Sequence, residues 1–91
     1  MFIAIAYDIK DDRRRNRVLN TLKNFGTWVQ YSVFECNLKS EQLDRLRKIL
    51  ASHIKPSQDS IRFYYLCEEC QRKVLVLGKG SVSEDEMVYI I

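Results

Sequence analysis

The segment Phe2-Ile3-Ala4-Ile5-Ala6-Tyr7 is apolar at every position, so a strand built from it has no face suited to water. Phe2, Ala4 and Ala6 fall on one side, and Ile3, Ile5 and Tyr7 on the other. Both sides must be covered. The chain has two segments with clear helical periodicity, and two helices cover one face of a sheet. Residues 60 to 67 repeat the feature, because Ile61, Phe63 and Tyr65 alternate with Tyr64 and Leu66. A second copy of the chain, joined by a two-fold axis, is the simplest cover for the remaining face.

The order of elements follows from period and punctuation. After the first strand, Asp12 is placed to cap a helix carrying Val18, Leu19, Leu22 and Phe25 on one face. Gly26 stops it, and Trp28 to Glu35, rich in aromatic and β-branched residues, reads as a second strand. Ser40 is expected to cap a second helix with Leu43, Leu46, Leu50 and Ile54 on one side, ended by Pro56 and Ser57. Ser60 to Cys67 reads as a third strand, Glu68 to Arg72 as a polar link, and Val74 to Leu77 as a fourth strand. The order as written is therefore strand, helix, strand, helix, strand, strand. Residues 1–78 make the domain, and 79–91 a tail in which Gly78 to Ser81 form a turn and Met87 to Ile91 an edge strand.

Length and charge narrow the possibilities. Ninety-one residues with 46% apolar content suit a single small core. No apolar run approaches the roughly 18 residues of a membrane span, and no secretion signal is legible, so the expected location is cytoplasmic. Three cysteines then read as reduced thiols. The net charge of +3 is uneven: residues 10 to 23 hold six basic and two acidic side chains, whereas Glu84, Asp85 and Glu86 make the tail acidic.

The basic cluster lies at the start of the first helix, where the helix dipole disfavours cations. Arg14 and Arg15 flank the Val18–Leu22 stripe and should lie near Asp8 at the strand end, whereas Arg13 and Arg17 point away. Four arginines at this position suit a nearby phosphate. Two readings of Asp8 stay open: a salt-bridge partner of Arg14 or Arg15, or a metal ligand. One carboxylate is a poor magnesium site, but a two-fold axis supplies a second Asp8, with Asp11 and Asp12 in reserve.

Other motifs carry less. Cys67-Glu-Glu-Cys70 has the spacing of half a zinc site, but no second pair exists, and after a strand it lacks the helix start that activates a redox thiol. His53 reads as a packing residue, so no Ser-His-Asp set can be assembled, and no glycine-rich phosphate loop is present. Tyr7, Trp28, Tyr31, Phe34, Phe63, Tyr64 and Tyr65 could stack on bases, but core and interface packing is the preferred reading, and the signature of an RNA-recognition motif is missing from the third strand.

Tyr7-Asp8-Ile9, Arg14-Arg15, Phe25-Gly26, Val29-Gln30, Ser32-Val33-Phe34-Glu35 and Asp59-Ser60-Ile61-Arg62, in this order and spacing, resemble the CRISPR-associated Cas-two family. The resemblance implies an α+β, ferredoxin-like sandwich, with two helices on one face of the sheet and a homodimer through the other. It implies the order β-α-β-β-α-β, which conflicts with the order read above, and a final strand that often joins the partner's sheet. It also implies a magnesium-dependent endonuclease cutting RNA or DNA, with an Asp8 pair as catalytic metal ligands. Arg13, Arg14, Arg15 and Arg17 would contact nucleic acid. In CRISPR adaptation, such a dimer bridges integrase subunits on spacer DNA. A non-catalytic DNA-binding bridge and a toxin-like ribonuclease of the virulence-associated D type are the alternatives. One departure stands out: the family often has arginine just before the Val-Gln pair, where this chain has Trp28.

Overall fold

In the computed structural model, which describes residues 1–78, the apolar N-terminal segment becomes the central strand β1 (Phe2–Asp8). It is followed by α1 (Asp12–Lys23), β2 (Thr27–Gln30), β3 (Val33–Asn37), α2 (Ser40–His53), β4 (Ser60–Leu66) and α3 (Glu68–Arg72). The four strands form one antiparallel sheet in the order β2-β3-β1-β4. β1 is therefore hydrogen-bonded along both edges, by β3 and by β4. The architecture is α+β and ferredoxin-like, as the sequence implied.

Register sorts the side chains into two faces. Ile3 sits opposite Cys36 and Ile5 opposite Phe34, and these join Tyr7 on the side covered by α1 and α2. Val18 and Leu22 of α1 and Leu43, Leu46 and Leu50 of α2 close the same cluster. The other side carries Ala4, Ala6 and Asp8 from β1, Val33 and Glu35 from β3, and Arg62 and Tyr64 from β4. No helix of the described residues is long and apolar enough to cross a membrane.

Several local expectations are corrected. Trp28 to Glu35 is not one strand but the hairpin of β2 and β3, so the order is β-α-β-β-α-β rather than the one read along the chain. The reversal takes two residues, Tyr31 and Ser32, and Tyr31 adopts φ of 38°, a left-handed conformation rare for a bulky side chain. Trp28 Nε1 donates to the Tyr31 carbonyl at 2.7 Å and fastens the turn. Asp11, not Asp12, caps α1, accepting from the Arg14 N–H at 3.0 Å. Lys39 rather than Ser40 occupies the cap position of α2, and its N–H donates to Gln42 Oε1 at 2.8 Å.

The end of the domain also differs. Glu68 to Arg72 is the short helix α3 rather than a link, with Cys67 at its cap. Val74 to Leu77 does not form the expected fourth strand, and Leu75 and Leu77 are exposed. Within this segment Val76 takes part in a single β-bridge, which is too short to make a strand element. The expected turn and edge strand of residues 79–91 lie outside the described residues.

Candidate active site

Asp8 is the last residue of β1, and strand alternation puts it on the helix-free face with Ala4 and Ala6. Ser60 pairs with Asp8 and Arg62 with Ala6, so these two β4 residues flank the carboxylate on the same face. Its side chain is 69% exposed. The expected pairing with Arg14 or Arg15 is absent. Among the described residues its partner is Lys10, whose Nζ donates to the two carboxylate oxygens at 3.3 and 3.4 Å. An exposed pair of this kind contributes at most about 1 kcal/mol, so a competing ligand displaces it at little cost.

The turn after Asp8 is held far more firmly than Asp8 itself. Asp59, just before β4, has a fully buried side chain and accepts four hydrogen bonds. Arg14 Nε donates at 2.7 Å and Arg14 Nη2 at 3.2 Å, and the N–H groups of Lys10 and Lys55 at 3.0 and 2.8 Å. The Arg14 guanidinium, with the two N–H donors, holds the Asp59 carboxyl far below the usual carboxylate range against the opposing effect of burial. Arg15 donates through Nε and Nη2 to the Ile9 carbonyl at 3.2 and 2.9 Å and also pairs with Asp12. Arg14 and Arg15 thus brace residues 9 and 10, which fixes the direction in which β1 presents Asp8.

That division of labour separates the arginine cluster. Arg14 is mostly enclosed and committed to Asp59 and to Gln58 Oε1 at 3.0 Å, so its predicted role at nucleic acid is reduced. Arg13 and Arg17 are exposed, and their guanidinium groups have no hydrogen-bond or ion-pair partner among the described residues. They are the cations left for a phosphate backbone. Asp11 caps α1, and Asp12 pairs with Arg15 on the surface.

The donor set for magnesium is therefore one exposed carboxylate per chain, and no group of three acidic, histidine or cysteine side chains able to hold a metal occurs among the described residues. Magnesium retains several waters and commonly takes one or two carboxylates, so Asp8 fits it when a second Asp8 is brought alongside. His53 is half-buried at the end of α2 and has no ion-pair partner among the described residues, in keeping with a packing role. A groove of about 480 Å³ between α2 and β4, lined by Leu50, Ile54, Ile61 and Phe63 among others, includes none of these site residues.

Residues 1–74 match the family described as CRISPR associated protein Cas2. The chain belongs to the Cas2 family. It is 41% identical over 91 residues to CRISPR-associated endoribonuclease Cas2 3 of Chloroflexus aurantiacus, covering 100% of this chain and 98% of that one. CRISPR-associated endonuclease Cas2 2 of Thermus thermophilus is 39% identical, with 97% and 93% covered. The crystal structure of Streptococcus pyogenes Cas2 superimposes with a TM-score of 0.76 at 32% identity, over 86% of this chain and all of that one.

Trp28, where the resemblance led one to expect arginine, packs against its own sheet. Its ring stacks on Phe34 at 6.4 Å, and Lys23 Nζ lies 5.9 Å from the ring centroid, so a cation still reaches this edge of the sheet. Asp59 is the residue that sequence reasoning missed as part of the site. The available signal was its position one residue before a strand that pairs with β1, which sets it beside the turn after Asp8.

Proposed function

We propose that this Cas2 chain acts as a homodimeric, magnesium-dependent endonuclease in CRISPR adaptation, with the Asp8 carboxylates of two copies as its metal ligands. The observation that carries the proposal is the exposed Asp8 on the helix-free face, held among the described residues by Lys10 alone, at the end of a strand whose next turn is clamped by Arg14 and Asp59. Ala4 and Ala6 on that face leave room for close approach of a second sheet, and half-exposed Tyr64 gives it apolar area to bury. Several relatives carry endoribonuclease or endonuclease in their names.

Asp8 provides a hard oxygen ligand once Lys10 swings away, and Arg13 and Arg17 hold backbone phosphates from the outer face of α1. The two Asp8 carboxylates would hold magnesium, which when bound would supply polarisation of a phosphodiester and acidification of a water. The Arg14–Asp59 clamp keeps the ligand in place while substrate is exchanged.

A second, non-catalytic function is favoured by the same Lys10 contact and by the single carboxylate: a dimer that bridges integrase subunits and holds DNA through Arg13 and Arg17. Cleavage of labelled single-stranded RNA and duplex DNA, by the wild type and Asp8→Asn, with magnesium and with chelator, separates the two. The nuclease proposal expects metal-dependent cutting by the wild type and at least a hundredfold loss in Asp8→Asn, roughly the scale of losing a catalytic metal ligand. Equal activity in both proteins, or none in either with DNA binding retained, supports the bridge instead.

A further inference from the structure

Cys67 and Cys70 are both exposed, and they meet at the junction between β4 and α3. Cys67 occupies the cap of α3, where its Sγ accepts a hydrogen bond from the Cys70 N–H at 3.4 Å. The first turn of α3 brings the Cys70 backbone over the Cys67 sulfur. That juxtaposition makes the two sulfurs unequal. Hydrogen bonds from the Cys70 N–H and thiol lower the Cys67 pKa below the ordinary thiol value, while donation to Cys67 raises that of Cys70. The third cysteine, Cys36, is fully buried in the core, and burial, with Glu35 nearby, pushes its thiol up to about 11. Two thiols are too few for a tetrahedral zinc site, and no third ligand joins them among the described residues. Two thiols one helical turn apart suffice for a two-electron dithiol–disulfide couple, because that spacing meets the separation a disulfide requires.

We propose that Cys67 and Cys70 form a redox-active dithiol that reacts with low-molecular-weight disulfides, Cys67 as the attacking thiol and Cys70 as the resolving one. In the first step the Cys67 thiolate attacks one sulfur of the disulfide, forming a mixed disulfide and expelling one small thiolate. In the second, Cys70 loses its proton to solvent and attacks Cys67 Sγ, closing the intrachain disulfide and expelling the second small thiolate. The small disulfide is reduced by two electrons and the protein dithiol is oxidised by two. None of the residues assigned to phosphodiester cleavage takes part.

The test uses the full-length reduced chain with oxidised glutathione, followed by intact mass and peptide mapping. The wild type is expected to lose two hydrogen atoms and to carry no glutathionyl group, with the bond mapped to Cys67 and Cys70. Cys70→Ser is expected to accumulate one glutathionyl group on Cys67, whereas Cys67→Ser reacts at least about tenfold more slowly, since the more acidic thiol is gone. Cys36→Ser should behave as the wild type. Stable glutathionylation of the wild type, equal rates in Cys67→Ser and Cys70→Ser, or disulfides linking separate chains would each overturn the proposal. Circular dichroism of the two exposed-site serine variants checks that the fold is intact.

Discussion

Replacing Gly26 with alanine measures how tightly the α1–β2 connection is pressed against β3. A Cβ at residue 26 would stand 2.4 Å from Cys36 Sγ and 2.5 Å from the Glu35 carbonyl oxygen, where ordinary contact begins at 3.4 Å. The connection must move away from β3 by about 1 Å to admit it. Neither neighbour yields easily: Cys36 is fully buried beside Ile3, and the Glu35 carbonyl belongs to a strand fixed between β1 and β2. Overpacking of this kind costs about 1–3 kcal/mol. For a domain of this size each kcal/mol moves Tm by roughly 4–8 °C, so calorimetry at matched protein concentration should show a fall of roughly 4–24 °C. Adding Cys36→Ala removes one of the two clashes and leaves the carbonyl one. The double variant should therefore lose less than the sum of the single variants. A Gly26→Ala melting point within about 2 °C of the wild type, or strict additivity, would refute the packing described for this corner.

The buried clamp makes a pH prediction. Because the folded-state pKa of Asp59 is depressed, its contribution to stability is complete above the ordinary value of 3.8 and is lost as pH falls from there through the folded value. Urea midpoints of the wild type should decline over that acidic interval, and those of Asp59→Asn, lower at neutral pH, should decline less. At the surface, Arg13→Glu combined with Arg17→Glu should weaken nucleic-acid binding across sequences and reduce the salt dependence by about two phosphate contacts, as read by fluorescence anisotropy at several ionic strengths. Arg47→Glu on α2 serves as the control, because it alters net charge at a site remote in sequence.

The parts of the fold visible in the sequence are those governed by local period. The apolar run of β1, the Val18–Leu22 stripe of α1, the leucine spacing of α2 and the alternation of β4 each identify an element without reference to its neighbours. The β2–β3 hairpin was hidden because its turn uses Tyr31 and Ser32 rather than asparagine or glycine, and the Trp28 indole contact that secures it comes from tertiary geometry. Helix α3 was hidden by its five-residue length and its cysteine cap, and the strand-like composition of Val74 to Leu77 corresponds to a single bridge at Val76 among the described residues. In the site, the place of Asp8 at the end of an apolar strand was legible. The commitment of Arg14 to Asp59 was not, because it joins residues 45 positions apart through the β1–β4 register.

Titration of the protein with Mn²⁺ as a paramagnetic stand-in for magnesium, with free ion counted by electron paramagnetic resonance, tests the paired-aspartate site most directly. The account predicts one tightly held ion per two chains in the wild type and none in Asp8→Asn, with the dimer intact in both. One ion per chain, or binding that survives Asp8→Asn, would contradict it.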